Sequence, residues 1–338
     1  MKISRHLIAV IVMWQFALAG WTQAADGVIY QGKAGPGRGK HIVLLAGDEE
    51  YRSEEGLPML AKILAVRHGF KCTVVFTLNP ADGTFDPLNQ TNMPGVGALD
   101  SADLCVLGLR FRELPDPQMK HFVDYLNAGK PIIALRTSTH SFKYDRDKAS
   151  PYAKYDWHST DWPGGFGQQV LGETWVNHHG NHGSESTRGV INEAFKDHPV
   201  LRGVTDIWCP TDVYTVSHLP KDATMLVLGQ VLSGMKPTDP PVEGTKNHPM
   251  MPVAWLRDYM GESSKTSKVF TTTMGAAVDL ENESLRRLLV NAAYWAVGLE
   301  QKIPAKANVD YVGEYKPGWF GFGKFKQGLK PEDLALPR

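Results

Sequence analysis

Arg136-Thr-Ser-Thr-His140 places a guanidinium, three hydroxyls and an imidazole in five residues, directly after the apolar run Pro131 to Leu135. An imidazole exchanges protons near neutral pH, as proton abstraction beside a carbonyl requires. A guanidinium steadies an enolate-like oxygen. His140 is therefore expected to move a proton, Arg136 to stabilise developing negative charge, and Thr137 to hold substrate. The competing reading of His140 is a turn-stabilising side chain. A second polar group, Asp48-Glu-Glu-Tyr-Arg52, follows another apolar run. There Glu49 is expected as a carboxylate base, with Asp48, Tyr51 and Arg52 binding substrate. The competing reading is a solvated acidic turn that complements a helix dipole. Arg110 and Arg112 sit at a third exit of this kind, and are expected to bind substrate or to balance the carboxylates.

The densest histidine cluster is Val176-Asn-His-His-Gly-Asn-His-Gly183. In an extended chain His178 and His179 point to opposite faces. Its glycines oppose a helix, and the HExxH spacing of zinc peptidases is absent. His178 and His179 are therefore expected to hydrogen-bond a sugar, and no cofactor is expected. A divalent metal on His178, His179 and His182 is the alternative. Trp157, Trp162, Trp175, Trp208 and Tyr214 flank this region. Aromatic faces suit sugar rings, but most large aromatics pack cores, so one or two are expected to touch ligand. Ser184-Glu-Ser-Thr-Arg-Gly189 is hydroxyl-rich, yet no catalytic triad can be assigned there.

These groups need elements to position them. His41 to Gly47, Lys71 to Phe76, Leu104 to Leu109 and Pro131 to Leu135 are short, continuously apolar runs, the mark of strands buried on both faces. Between them Leu57, Leu60, Ala61 and Leu64, then Met119, Phe122, Val123 and Leu126, recur at helical spacing. Ser53 is placed as the first helix's N-cap, and Gly69 as its stop. Strands alternating with helices predict parallel β-α-β units, whose carboxyl edge carries ligands in open α/β sheets. Residues 143–200 are irregular and rich in Trp, His and Gly, as functional loop regions are. Further strands are expected at Thr224 to Val231, Pro252 to Leu256 and Lys268 to Thr273, then a helix bearing Leu285, Leu288, Leu289 and Ala292. The segment from Lys302 holds Tyr311, Tyr315, Trp319, Phe320, Phe322 and Phe325, too many aromatics to leave in water, and is expected to dock on the domain.

The 338 residues hold 36 Lys+Arg and 36 Asp+Glu, so no broad positive field exists for nucleic acid or an anionic membrane. Lys2, Arg5, the apolar stretch Leu7 to Gly20 and the small residues to Ala25 read as a signal peptide. The expectation is an exported chain, periplasmic or secreted, with no membrane span after cleavage. Cys72, Cys105 and Cys209 are an odd number, with Cys72 and Cys105 expected as buried free thiols.

The ordered set Ile42-Val-Leu-Leu, Leu135-Arg-Thr-Ser-Thr-His-Ser-Phe142, Asp197-His-Pro-Val-Leu-Arg-Gly203, Asp212-Val-Tyr214, Pro252-Val-Ala-Trp255, Val269-Phe-Thr-Thr-Thr-Met-Gly275 and Leu285 to Gly298 resembles the ThuA-like (trehalose utilisation) proteins. The resemblance implies a flavodoxin-like, class I glutamine amidotransferase-like α/β fold: a mainly parallel sheet with helices on both faces. It adds Asp212 and Tyr214 to the substrate-binding set. The expected organisation is a signal peptide at 1–24, a flexible lead-in at 25–40, the ThuA-like domain at 41–300 and a docked tail at 301–338. Amidotransferases carry a Cys nucleophile where this chain has Arg136 to Ser141, so glutamine hydrolysis is not expected. The chain also departs from the commoner family pattern at Gly275-Ala276, Arg136 and His140. The implied activity is isomerisation, elimination or hydrolysis of a disaccharide or keto-sugar. The alternatives are a non-catalytic sugar-binding protein and a metal-dependent hydrolase.

Overall fold

The computed structural model describes residues 27–337; the leader expected at 1–24 lies outside them. In chain order the regular elements are β1 (Gly27–Gln31), β2 (His41–Gly47), α1 (Ser53–His68), β3 (Lys71–Phe76), β4 (Leu104–Leu109), α2 (Asp116–Asn127), β5 (Ile132–Leu135), β6 (Ser186–Ile191), β7 (Ile207–Cys209), β8 (Thr224–Leu232), β9 (Met251–Met260), β10 (Thr266–Thr272) and α3 (Glu283–Ala296). All ten strands form one sheet in the order β1-β3-β2-β4-β5-β10-β9-β8-β6-β7. The run from β3 to β10 is parallel. The remaining pairings are antiparallel. The sheet is therefore mixed, not mainly parallel as expected. The connection from β9 to β10 spans only residues 261–265, and a link that short can only return the chain antiparallel.

β2 and β4 are buried at every residue, as their unbroken apolar sequences require. α1 and α3 pack with one face of the sheet in one cluster of buried side chains. α2 covers the opposite face. There Phe142, just before the irregular region, and Phe166 within it pack tilted and edge-on, respectively, against Phe122 at 5.1 and 5.3 Å. So part of that region is a second core layer, and the remainder reaches the sheet's carboxyl edge.

Two local expectations change. The lead-in is not wholly irregular, because β1 adds to the edge of β3 with Val28 and Tyr30 buried and their neighbours exposed. Ser53 does not cap α1; its Oγ accepts from the Asp48 N–H at 3.1 Å, and Arg52 occupies the cap in the left-handed region at φ 58°. The histidine-rich stretch is a loop, as the irregular 143–200 region implied, with one bridge, His178 opposite Tyr214. Cys72, Cys105 and Cys209 are all buried free thiols. Among the described residues no helix is long and apolar enough to cross a membrane.

The residues after Leu299 run along α1 and α3. Tyr315 donates to the Ala277 carbonyl at 2.8 Å, Arg286 donates to the Tyr311 hydroxyl at 2.9 Å, and Tyr30 of β1 donates to Leu334 O at 2.9 Å.

Candidate active site

The chain reverses direction across the sheet between β2 and β4, and ligands of open α/β sheets bind outside the carboxyl ends at such a point. The strand exits there are stitched together. Arg110 N–H donates to Gly47 O at 2.9 Å, Phe111 N–H to His140 O at 3.0 Å, and Arg136 N–H to Met274 O at 3.1 Å. Arg52, Phe111 and Arg136 have φ values of 58°, 53° and 47°. Non-glycine residues in this region are costly, and they gather where a site over-determines its backbone.

Asp212 is the centre of the arrangement. It follows β7, and its side chain is fully buried. Arg136 donates to its Oδ1 at 2.8 Å and to its backbone carbonyl at 2.7 Å. His178 Nδ1 lies 2.7 Å from Oδ2 and His182 Nδ1 lies 3.0 Å from Oδ1. A carboxylate only accepts, so both imidazoles carry their proton on Nδ1 and present an unprotonated Nε2 when neutral. Burial pushes the Asp212 carboxyl up, but Arg136 and the two imidazoles outweigh it and hold it well below the usual carboxylate range. His178 Nε2 makes no hydrogen bond among the described residues, while His182 Nε2 lies 3.5 Å from Glu50 Oε1. Burial, aided by Asp48, raises the Glu50 carboxyl above its ordinary range against Arg110 and His182. The site thus sets the raised Glu50 carboxyl beside His182 Nε2, and the neighbouring imidazole, His178, keeps an Nε2 without a partner among the described residues.

Around these groups runs an arc of flat side chains. Phe320 to His182 is 5.2 Å between centroids, His182 to His178 4.9 Å, and His178 to Trp175 5.7 Å. Trp175 to Trp157 is 5.8 Å and Trp157 to Phe111 5.5 Å. The Arg110 guanidinium lies over Phe111 at 4.4 Å and over Phe322 at 5.1 Å. Phe322 is two residues from Phe320, so the arc closes on itself. Tyr214 and His140 are buried behind it.

The residues expected from sequence divide in two. His178, Arg110, Tyr214 and His140 border the arc, but His140 is sealed among Phe111, Trp157, Trp175 and Tyr214. Burial, then the charges of Arg110 and Arg136, push its imidazole well below the ordinary range. His140 is thus a neutral packing group in this geometry, not the exposed proton carrier expected. Arg136 is fully buried between the Tyr51 and Tyr214 rings and spends both terminal nitrogens on Asp212, Thr273 O and Tyr51. It anchors Asp212 and does not face an incoming anion.

The others brace the site. Glu49 is held by Arg110 and Arg112, with Arg112 at 2.9 Å, so it is a salt-bridge partner and not a free base. Arg112 also donates to the carbonyls of Pro87 and Asn89, each at 3.0 Å. Asp48 Oδ1 accepts from the N–H groups of Glu50 and Tyr51 at 2.7 and 2.9 Å, and its Oδ2 from Thr137. Arg52 donates to Glu49 O and Gly321 O. His179 turns away and bonds Lys246 O at 2.8 Å. In the metal alternative, Asp212 therefore takes the place of His179: one donor each from His178, His182 and Asp212 lie within 4.8 Å of one another. Of the flanking aromatics, Trp162 packs on Tyr155 and Trp208 bonds Ser186, both outside the arc. Glu50 was one of three adjacent acids, and only the turn geometry singles it out. Phe320 and Phe322 carried an aromatic signal but no signal of place.

The family model for ThuA, trehalose utilisation, matches residues 43–296, and the chain belongs to this family. Among solved structures, a ThuA-like protein from Parabacteroides merdae is 14% identical with a TM-score of 0.50, covering 76% of this chain and 90% of that one. A ThuA-like protein from Bacteroides uniformis is 14% identical with a TM-score of 0.47, covering 79% of this chain and 95% of that one. No curated protein matches the chain.

Proposed function

We propose that this chain is an enzyme that moves a proton on a disaccharide or keto-sugar, with His178 as base and Glu50 as acid. The observation that carries the reading is Asp212 binding two imidazoles through Nδ1, which leaves His178 Nε2 without a partner among the described residues. Glu50 would return a proton to the departing or carbonyl oxygen, and Trp157 and Trp175 would hold the sugar ring. Family membership supports a saccharide as the substrate. The leader-like residues from Lys2 to Gly20 support action after export, which cell fractionation tests. To test the chemistry, trehalose, other disaccharides and their oxidised forms are screened with wild type and His178→Ala. The expected loss in kcat/KM is about 10²- to 10⁴-fold, with a somewhat lower melting midpoint because buried Asp212 loses one of its donors, and with melting curves confirming that the variant folds. Saccharide binding without turnover in the wild type would make it a binding protein instead.

A second reading is a divalent metal on His178, His182 and Asp212, favoured by the closeness of their donors. Arg136 already balances the Asp212 charge, which weakens the pull on a cation. Metal analysis of protein purified without chelator separates the readings: stoichiometric transition metal selects the second.

A further inference from the structure

Among the described residues only two large aromatic side chains are exposed, Trp319 at 48% and Phe322 at 58%. Both lie in one five-residue stretch beside the arc, in a segment beyond the family-matched residues 43–296. We infer that Gly318–Phe322 is a specificity-determining wall that binds the second ring of the substrate. The inference rests on the saccharide reading above and deepens it.

The stretch is fixed on both sides of its aromatics. Gly318 N–H donates to Glu55 Oε2 at 2.7 Å, Gly321 N–H to Glu50 O at 2.8 Å, and Arg52 to Gly321 O at 2.8 Å. The last two bonds tie it to the acidic turn that carries Glu50. Phe320 is buried and lies between Tyr51 at 5.6 Å and His182 at 5.2 Å. Trp319 stacks on Phe320 at 4.9 Å with planes 26° apart, one aromatic layer farther from the reacting groups. Phe322 covers Arg110, whose Nε lies 3.7 Å from Glu50 Oε2. A ring held at Glu50 and His178 would leave its neighbouring ring beside these two faces. An exposed indole and phenyl, held rigidly by backbone bonds, are the side chains that stack on a sugar at low entropic cost.

The test uses the full chain with Trp319→Ala and Phe322→Ala, both surface changes whose melting curves confirm folding. Calorimetry compares trehalose with methyl α-glucoside, and kinetics compares any turned-over disaccharide with its monosaccharide analogue. The expected result is at least a tenfold fall in the disaccharide-to-monosaccharide preference, carried by Kd or KM and not by kcat. Equal losses for both ligands, or no change for either, would overturn the assignment. If wild type binds no saccharide at all, the saccharide reading itself fails, and that outcome is distinct from a lost preference.

Discussion

Asp212 is a charge buried together with Arg136, and each is tolerable only because of the other. Asp212→Asn removes the negative partner and leaves an uncompensated guanidinium in a dry place. The expected cost is about 3 to 5 kcal/mol, read by denaturant unfolding. Glu50 makes a different demand. Its raised folded value keeps the proton at pH values where an ordinary carboxylate has lost it. On the proposed function, acid catalysis by Glu50 is therefore present at low pH and is lost as pH rises through that raised value. Glu50→Gln is expected to lower kcat and to remove this alkaline limb; an unchanged limb would take Glu50 out of the role. Sequence reading placed the base at Glu49, whereas the acid proposed above is its neighbour Glu50 in the same turn. Glu49 and Glu50 are chemically alike, and the left-handed Arg52 with the Asp48 turn decides which meets Arg112 and which meets His182. The surroundings of His140 were hidden for a related reason: residue type announced proton chemistry, but not that four aromatic neighbours bury the ring.

The first turn of α1 shows the same tension at the level of an element. Glu54 is buried there with neither oxygen hydrogen-bonded, 3.7 Å from Arg52, and burial pushes its carboxyl up to about 8. Below the ordinary carboxylate range both folded and unfolded chains are protonated, and the stability contribution is complete. As pH climbs from there towards about 8 the unfolded chain releases its proton first, so stability falls and is lost through the folded value. Glu54→Gln is expected to leave stability unchanged at low pH. Above the folded value it should raise it by at least ~1.4 kcal/mol, the worth of one pH unit of displacement; thermal melts at both ends check this. At the same scale the buried parallel strands were legible, because β2, β4 and β5 are continuous apolar runs ending in polar residues. β1 was not: two buried residues in five are too short a pattern to stand out beside a glycine-rich lead-in.

For the molecule as a whole, the parallel half could be read from alternating strand and helix patterns, whereas the antiparallel half depends on pairings that no local period reveals. The clustering of polar groups on one rim followed from topology; their division into reacting and bracing groups did not. The tail's aromatics implied docking, but only long-range bonds such as Gly321 to Glu50 say where. Gly321 sits at φ 132°, a region open to glycine. Gly321→Ala is expected to release the stretch, giving new chymotryptic cuts near Trp319 and Phe322 and weaker saccharide binding. An unaltered digestion pattern would show that the anchor lies elsewhere.

Trp319 and Phe322 come after every strand in chain order, yet their stretch is held against groups that β2 and β4 deliver. A nascent polypeptide can thus complete its sheet while the hollow still lacks its last side. Formation of the scaffold is separable from completion of the saccharide wall proposed above, and that wall is in place only once the last-made segment has docked.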